Sequence, residues 1–338
     1  MTSLTLDRAQ ILAFRRRVAS LGSRMRQGRR SLHQAAWAGL QDSMPRAALL
    51  SIHARVEDTR PTTWEDPELT QLWGPRFSAY VVSKRDFGIF SLGRLSDDPA
   101  KRRLSEDLAR RLSRLLDGRS MTYAQAGRAL GEPPNRLRYA APTGTIAIRW
   151  EGARQPTIHT VPAPPIDPKD ARLELARRYL HVFGPSTAES FAKWAGIKTP
   201  SGIDAFEPLR SELTQVRTPI GDASLLTSDV ETVLAAPEPA SAARLLPSGD
   251  SYFLFWGDER DLLVPDEGNR PLLWTPRVWP GAILVNGEIV GTWRRANHVV
   301  TLESWKRLSQ KSREAVAEEA TTLPIPNLRR EIVVDWSA

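Results

Sequence analysis

The chain contains no cysteine. This excludes a disulfide framework, a thiolate nucleophile and any cysteine-ligated zinc or iron–sulfur centre. Lysine is scarce, so that 40 of the 47 cationic side chains are arginine. Five histidines, at 33, 53, 159, 181 and 298, show no metal-ligand spacing, and neither a metal nor another cofactor is expected. There is no glycine-rich phosphate loop, no dinucleotide fingerprint and no defensible Ser–His–Asp arrangement. No apolar run approaches the roughly 18 residues of a membrane-spanning helix. Residues 1–20 lack the apolar segment and cleavage site of a signal peptide. A cytoplasmic protein is the expectation.

What is present suits ordinary globular domains. Of the 338 residues 41% are hydrophobic and 25% charged, which supports packed cores and argues against wholesale disorder. At about 100–200 residues per domain, the length is that of two or more. The net charge of +8 is unevenly spread: residues 1–60 hold 11 basic and 4 acidic side chains, residues 101–154 hold 12 and 5, and residues 155–290 hold 12 and 18. Arginine presents a planar fork suited to phosphate, and arginine-favouring codons of a GC-rich genome are the alternative reading of its choice over lysine. The uneven distribution still points to a polyanion, with nucleic acid the usual one.

One pattern, helices followed by a short hairpin, recurs three times. In the third copy Asp167-Pro168 opens a helix through Phe183, Gly184-Pro185 ends it, and Ser186 or Thr187 caps a second helix that stops at Gly196. Gly202–Leu213 follows as a helix, then strands at Thr214–Thr218 and Ala223–Thr227. The second copy runs Arg102–Leu116, Tyr123–Leu130, a short helix from Pro133, and a hairpin of Thr145–Trp150 and Thr157–Val161 across the turn 151–154. The first is less regular: Thr5 caps Leu6–Leu21, helical segments surround Leu32–Ala38 and Pro45–Val56, and Gln71–Val82 supplies strands. Proline-rich stretches at 162–168 and 235–240 read as stiff linkers. Beyond Leu245 six short strands are predicted (Tyr252–Trp256, Leu262–Val264, Pro271–Trp274, Ala282–Val285, Glu288–Trp293, His298–Leu302), with Asn286-Gly287 as a hairpin turn and a helix over Lys306–Leu323. The expected fold is therefore α+β, three tandem winged-helix (helix-turn-helix) units and a small C-terminal β-barrel, divided at 1–100, 101–166, 167–240 and 241–338. One irregular α+β domain is the alternative; the hairpin after each helical trio favours the first reading.

Several segments, in the same order along nearly the whole chain, carry a family resemblance. They are Gly39-Leu40-Gln41-Asp42-Ser43 with Met44-Pro45-Arg46, Leu72-Trp73-Gly74-Pro75-Arg76, Arg177-Arg178-Tyr179-Leu180 with Phe183-Gly184-Pro185, Phe191-Ala192-Lys193-Trp194-Ala195-Gly196, Leu245-Leu246-Pro247 with Asp250, and Asn286-Gly287-Glu288 through Arg294. Together they resemble the winged-helix DNA glycosylase superfamily of the AlkZ and YcaQ type. The resemblance implies a concave DNA-binding surface and monofunctional excision of alkylated bases. Some relatives unhook interstrand crosslinks, and some protect antibiotic producers from their own genotoxins. Catalytic members carry Gln-x-Gln or Gln-x-Asp after Gly-Leu. Gln41 matches the first position, but Ser43 stands at the third, with Asp42 between.

Base excision needs a water placed behind the anomeric carbon and a stabilised oxocarbenium-like centre. A glutamine is neutral, but its amide both accepts and donates and can orient water. Gln41, Ser43 and Asp42 are therefore the candidate catalytic residues. Asp42 is the better base, yet on a helix its side chain is turned about 100° from Gln41. Asp42 or Ser43 reads alternatively as the cap of the helix beginning near Pro45, and Gln41 as a structural hydrogen bond. Arg15, Arg16, Arg17, Arg24, Arg26, Arg29 and Arg30 are candidate phosphate ligands, or a solvated helix face. Arg46 and Arg76 are candidates for phosphates flanking a lesion, and Asn286, Arg294 and Arg295 for contacts from the C-terminal hairpin. Trp194 and Trp293 read as core, and His181 as core or interface. The functional expectation is a monomeric protein that binds double-stranded DNA and resembles the monofunctional DNA glycosylases that excise alkylated or bulky-adduct bases. The alternative is a catalytically inactive winged-helix protein that recognises lesions or regulates transcription.

Overall fold

The structure is a computed structural model that describes residues 4–44, 46–151, 155–235 and 243–337. Pro45, most of the turn 151–154 and the linker from 236 lie outside the described residues.

In chain order the elements are β1 (Leu4–Thr5), α1 (Arg8–Val18), α2 (Arg29–Ala35), β2 (Leu40–Gln41), α3 (Ala47–His53), β3 (Leu69–Trp73), β4 (Ala79–Ser83), α4 (Phe87–Leu92), α5 (Pro99–Leu116), β5 (Met121–Thr122), α6 (Tyr123–Leu130), β6 (Ile146–Arg149), β7 (Thr157–Thr160), α7 (Pro168–Phe183), α8 (Ala188–Ala195), α9 (Thr199–Phe206), β8 (Leu213–Thr218), β9 (Gly221–Leu226), α10 (Val230–Leu234), β10 (Ala243–Leu246), α11 (Glu259–Leu263), α12 (Arg270–Leu273), β11 (Gly281–Val285), β12 (Glu288–Ala296), β13 (Val299–Ser304), α13 (Gln310–Thr321) and β14 (Val333–Trp336). The fold is α+β, and a helical trio followed by a hairpin occurs three times. In the second trio the third member is a 3₁₀ segment, Pro134–Thr143.

Local chemistry sets the boundaries. Asp98 caps α5 through the amides of Ala100 and Lys101, with Pro99 in the first turn. Asp167 does the same for α7 ahead of Pro168, and Thr187, rather than Ser186, caps α8. At the first helix the expected cap moves. Thr5 lies on β1, paired with Arg217, and Asp7 forms a capping box with Gln10.

Tertiary pairing joins parts that are distant in sequence. β1 lies parallel to β8, in a three-stranded sheet ordered β1-β8-β9. The first helix thereby packs with the third trio, where Leu6, Ile11 and Phe14 share a core with Val216 and Leu225. The hairpins of the first two trios form one six-stranded sheet, β2-β4-β3-β6-β7-β5, joined at Gln71 and Ile148. The main core gathers Tyr179, Phe183, Phe191 and Trp194 with Tyr80, Phe90, Phe253 and Phe255.

The C-terminal region departs from the expected barrel. Five strands form a sheet in the order β10-β11-β12-β13-β14, and among the described residues β10 and β14 are its unpaired edges. Val316 and Ala320 of α13 pack on this sheet. Three expected strands are not strands: Ser251–Phe253 is a 3₁₀ turn, and Glu259–Leu263 and Arg270–Leu273 are short helices. Each sends short apolar stretches into a core, Tyr252 to Phe255, Leu262 to Val264, and Leu273 with Trp274, and periodicity alone does not separate a buried helix from a buried strand at that length. Asn286-Gly287 does form the two-residue turn, with both φ values positive, at 48° and 84°. Trp194 and Trp293 are core residues, 1% and 6% exposed.

Among the described residues no helix is long and apolar enough to cross a membrane.

Candidate functional site

Gly39 admits the chain to the site. Its φ is +72°, and a Cβ there would come within 2.9 Å of the Tyr80 and Phe90 rings. Leu40 and Gln41 then pair with Val81 and Tyr80 as the short strand β2. Extended backbone sends successive side chains to opposite faces. Gln41 and Asp42 accordingly find different surroundings.

Asp42 is turned inward and is 3% exposed. One carboxylate oxygen accepts the amide of Ala48 at 3.1 Å, in the first turn of α3, and the other accepts Gln71 Nε2 at 2.8 Å. Arg46 stands 3.5 Å away. Burial pushes the carboxyl up to about 6, although these donors pull the other way. The N-cap position of α3 is Arg46, without a side-chain cap, so Asp42 bonds that helix from six residues back rather than as its cap residue, and its carboxylate is spent on the protein interior. Ser43, next along, is partly exposed.

Gln41 is partly exposed, and its Oε1 accepts Arg76 Nη2 at 3.1 Å. The Arg76 guanidinium lies over the Trp256 ring, 4.2 Å from the centroid. Gly249, from the loop after β10, reaches the far side of the same amide: a Cβ there would sit 2.9 Å from Gln41 Nε2. Behind Arg76 is Arg94, 4% exposed, which donates to the carbonyls of Ala195 and Trp73. Burial draws the Arg94 pKa down to about 9. Arg76 and Gly249 thus meet the Gln41 amide, while Trp256 and Gly196 pack on Arg76.

The basic cluster of the first 30 residues divides in two. Arg15 is 1% exposed and donates to the carbonyls of Phe183, Gly184 and Pro185, so it is not a phosphate ligand. Its position on α1 faces α7, and burial made it a crosslink. Arg24 is likewise drawn inward, to the carbonyl of His53 and to Glu319. Arg16 donates to Gly287 and Arg17 to Thr232, both partly buried. Arg26, Arg29 and Arg30 are exposed.

Arg46 is committed to the protein. It lies 3.5 Å over the Trp64 ring and donates to the Trp150 carbonyl. With Arg295, Asn297, Glu65 and Glu151 it lines a cleft of about 630 Å³. Asn286, Arg294 and Arg295 are exposed. His181 is an interface residue, bonded to Asp229 at 3.0 Å and edge-on to Phe14. Trp256, Gly249, Arg94, Trp64 and Gln71 were not singled out in sequence. Nothing local marks them, because their neighbours come from distant segments.

An α+β fold of this order matches known proteins. The chain belongs to the AlkZ-like DNA glycosylase family, whose model matches residues 34–323. DNA is the partner that this family implies. A Streptomyces sahachiroi protein described as an interstrand DNA cross-link repair glycosylase is 27% identical over 190 residues, which cover 55% of this chain and 47% of that protein. The match thus spans just under half the length of that relative. The solved structure of Streptomyces sahachiroi DNA glycosylase AlkZ superposes with a TM-score of 0.80 at 19% identity, covering 99% of this chain and 100% of that one. At that identity the likeness concerns the fold.

Proposed function

We propose that the protein is a monofunctional DNA glycosylase that hydrolyses the N-glycosidic bond of an alkylated or bulky-adduct base in duplex DNA, with interstrand crosslinks among its substrates. The observation that carries this reading is Gln41. It occupies the first position of the motif of the resembled glycosylases, and its amide lies against two segments distant in sequence, at Arg76 and Gly249. The relative described as a cross-link repair glycosylase supports the substrate class.

In this reading the three trios act as tandem winged helices around the duplex. Arg26, Arg29, Arg30, Arg294 and Arg295, all exposed, contact phosphates, with Asn286 beside them. The protein works as a monomer, with the chromosomal DNA in the cell interior. Gln41 and the Ser43 hydroxyl hold a water near the anomeric carbon. The water oxygen bonds to C1′, the N-glycosidic bond breaks, and the base leaves with the electron pair. For a cationic alkylated base that pair neutralises the leaving group, so no acid has to supply a proton. The water's proton passes to solvent. Neutral hydrogen-bonding groups suffice because placement is the main requirement.

Ser43, where other members carry an amide or carboxylate, favours a second reading: a DNA-binding protein that has lost excision. Single-turnover excision on a duplex with one N-alkylated purine or one interstrand crosslink separates the two. Abasic sites are revealed by alkali. Product from wild type that is lost in Gln41→Ala establishes the enzyme. No product on either substrate, with salt-sensitive binding to the same duplexes, overturns the glycosylase reading in favour of the second.

A further inference from the structure

We propose that Arg76 is a positioning residue for this reaction: it fixes which end of the Gln41 carboxamide meets the reacting centre, with Gly249 as the opposing wall. The inference rests on the reading that Gln41 works at that centre. Arginine has donors and no acceptor, so the Gln41 atom 3.1 Å from Arg76 Nη2 is the carbonyl oxygen, and the amide nitrogen takes the other end. A flip of the amide would set donor against donor.

The guanidinium is not free to follow such a flip. Its face lies on Trp256, 4.2 Å from the ring centroid. Its backbone is left-handed, with φ 53°, and Gly196 packs so closely that a Cβ there would stand 2.9 Å from Arg76 N and Cα. On the opposite side, a Cβ on Gly249 would stand 2.9 Å from Gln41 Nε2, and the φ of Gly249 is +77°. The amide is therefore hydrogen-bonded at its oxygen, and Gly249 leaves little room beside its nitrogen. One lone pair of Oε1 remains for a water, always on the same side. The remaining amino group, Arg76 Nη1, is buried and without a hydrogen-bond partner among the described residues, so a DNA phosphate would reach it only by displacing the protein around it. This assigns Arg76 to Gln41 and not to the backbone of the substrate.

The test compares wild type, R76M, R76K and Q41A, read by single-turnover excision, by duplex Kd as a function of salt, and by the Gln41 side-chain amide resonance, assigned through its loss in Q41A. R76M is expected to slow excision by about 10–100-fold, the scale of a small misplacement of a reacting group. The Kd and its salt slope stay unchanged, and the Gln41 resonance shifts. R76K, which donates but cannot lie flat on Trp256, recovers part of the rate. If R76M leaves the rate unchanged, the proposal is wrong. It is equally wrong if R76M weakens binding and lowers the salt slope by about one phosphate, the mark of a backbone contact. If wild type excises nothing, or Q41A excises normally, the reading of Gln41 has failed instead. The resonance then decides the Arg76 contact alone: a shift in R76M supports it, and an unmoved signal overturns it.

Discussion

Asp250 is the buried fastening between the first trio and the C-terminal region, and its removal gives a large and specific loss. The residue is 1% exposed. It accepts Ser51 Oγ at 2.7 Å, Arg55 Nη1 and Nη2 at 2.7 and 2.8 Å, and the amide of Tyr252 at 2.9 Å. Burial by itself raises the carboxyl, but Arg55 and the other donors outweigh it and hold the group below its ordinary range. Asp250→Ala leaves the Arg55 guanidinium, 2% exposed, without its counter-ion. An uncompensated buried charge of this kind costs about 3–5 kcal/mol. Replacing both residues with apolar ones, as in Arg55→Met with Asp250→Leu, removes the stranded charge and should restore most of that loss. Urea denaturation at pH 7, followed by tryptophan fluorescence, measures both. A loss under about 1 kcal/mol for Asp250→Ala, or a double variant as unstable as the single one, would refute the reasoning. Because the folded carboxyl is depressed, its stabilisation is present above the unfolded value and is lost as pH falls through the folded one. The same loop carries Gly249 and Trp256, so Asp250→Ala should also slow excision under conditions where the variant remains folded.

Other expectations follow from the same contacts. Between pH 4 and 6 the stability of wild type should fall relative to Asp42→Asn, because the folded carboxyl, at about 6, holds its proton more tightly than the unfolded chain does. The full swing is about 3 kcal/mol, and a difference that is flat with pH in paired urea titrations sinks the idea. Arg29→Ala and Arg30→Ala should each lower the slope of log Kd against log salt by about one with no change in thermal midpoint. Arg15→Met should do the reverse, losing stability and leaving the slope alone, since its donors serve three carbonyls of the protein. Gly287→Ala should cost about 1–2 kcal/mol by thermal melting, since the turn demands positive φ and a Cβ would meet the Arg16 guanidinium at 2.6 Å; an unchanged midpoint removes that contact from the account.

Much of the local structure is legible in the amino-acid sequence. Asp98-Pro99, Asp167-Pro168 and Gly184-Pro185 mark helix ends through chemistry confined to a few neighbouring residues. Asn286-Gly287 marks a hairpin for the same reason. The C-terminal apolar runs were misread because a short buried segment looks alike as helix and as strand. The arginine cluster was half misread because charge density along a chain does not say which face of a helix another helix will cover. Arg15 and Arg16 are adjacent, yet one is interior and the other holds the Asn286-Gly287 turn.

Most helix and turn boundaries, and the recurring helix-and-hairpin order, lie in the amino-acid order alone, because capping, periodicity and turn preferences act over a few residues. Folding sets the rest: α1 joins the third trio, Asp42 is buried against α3, and Arg76, backed by Trp256, and Gly249 meet Gln41. Those contacts join segments far apart in the chain, and burial of the whole core, rather than any local preference, selects which surfaces come together.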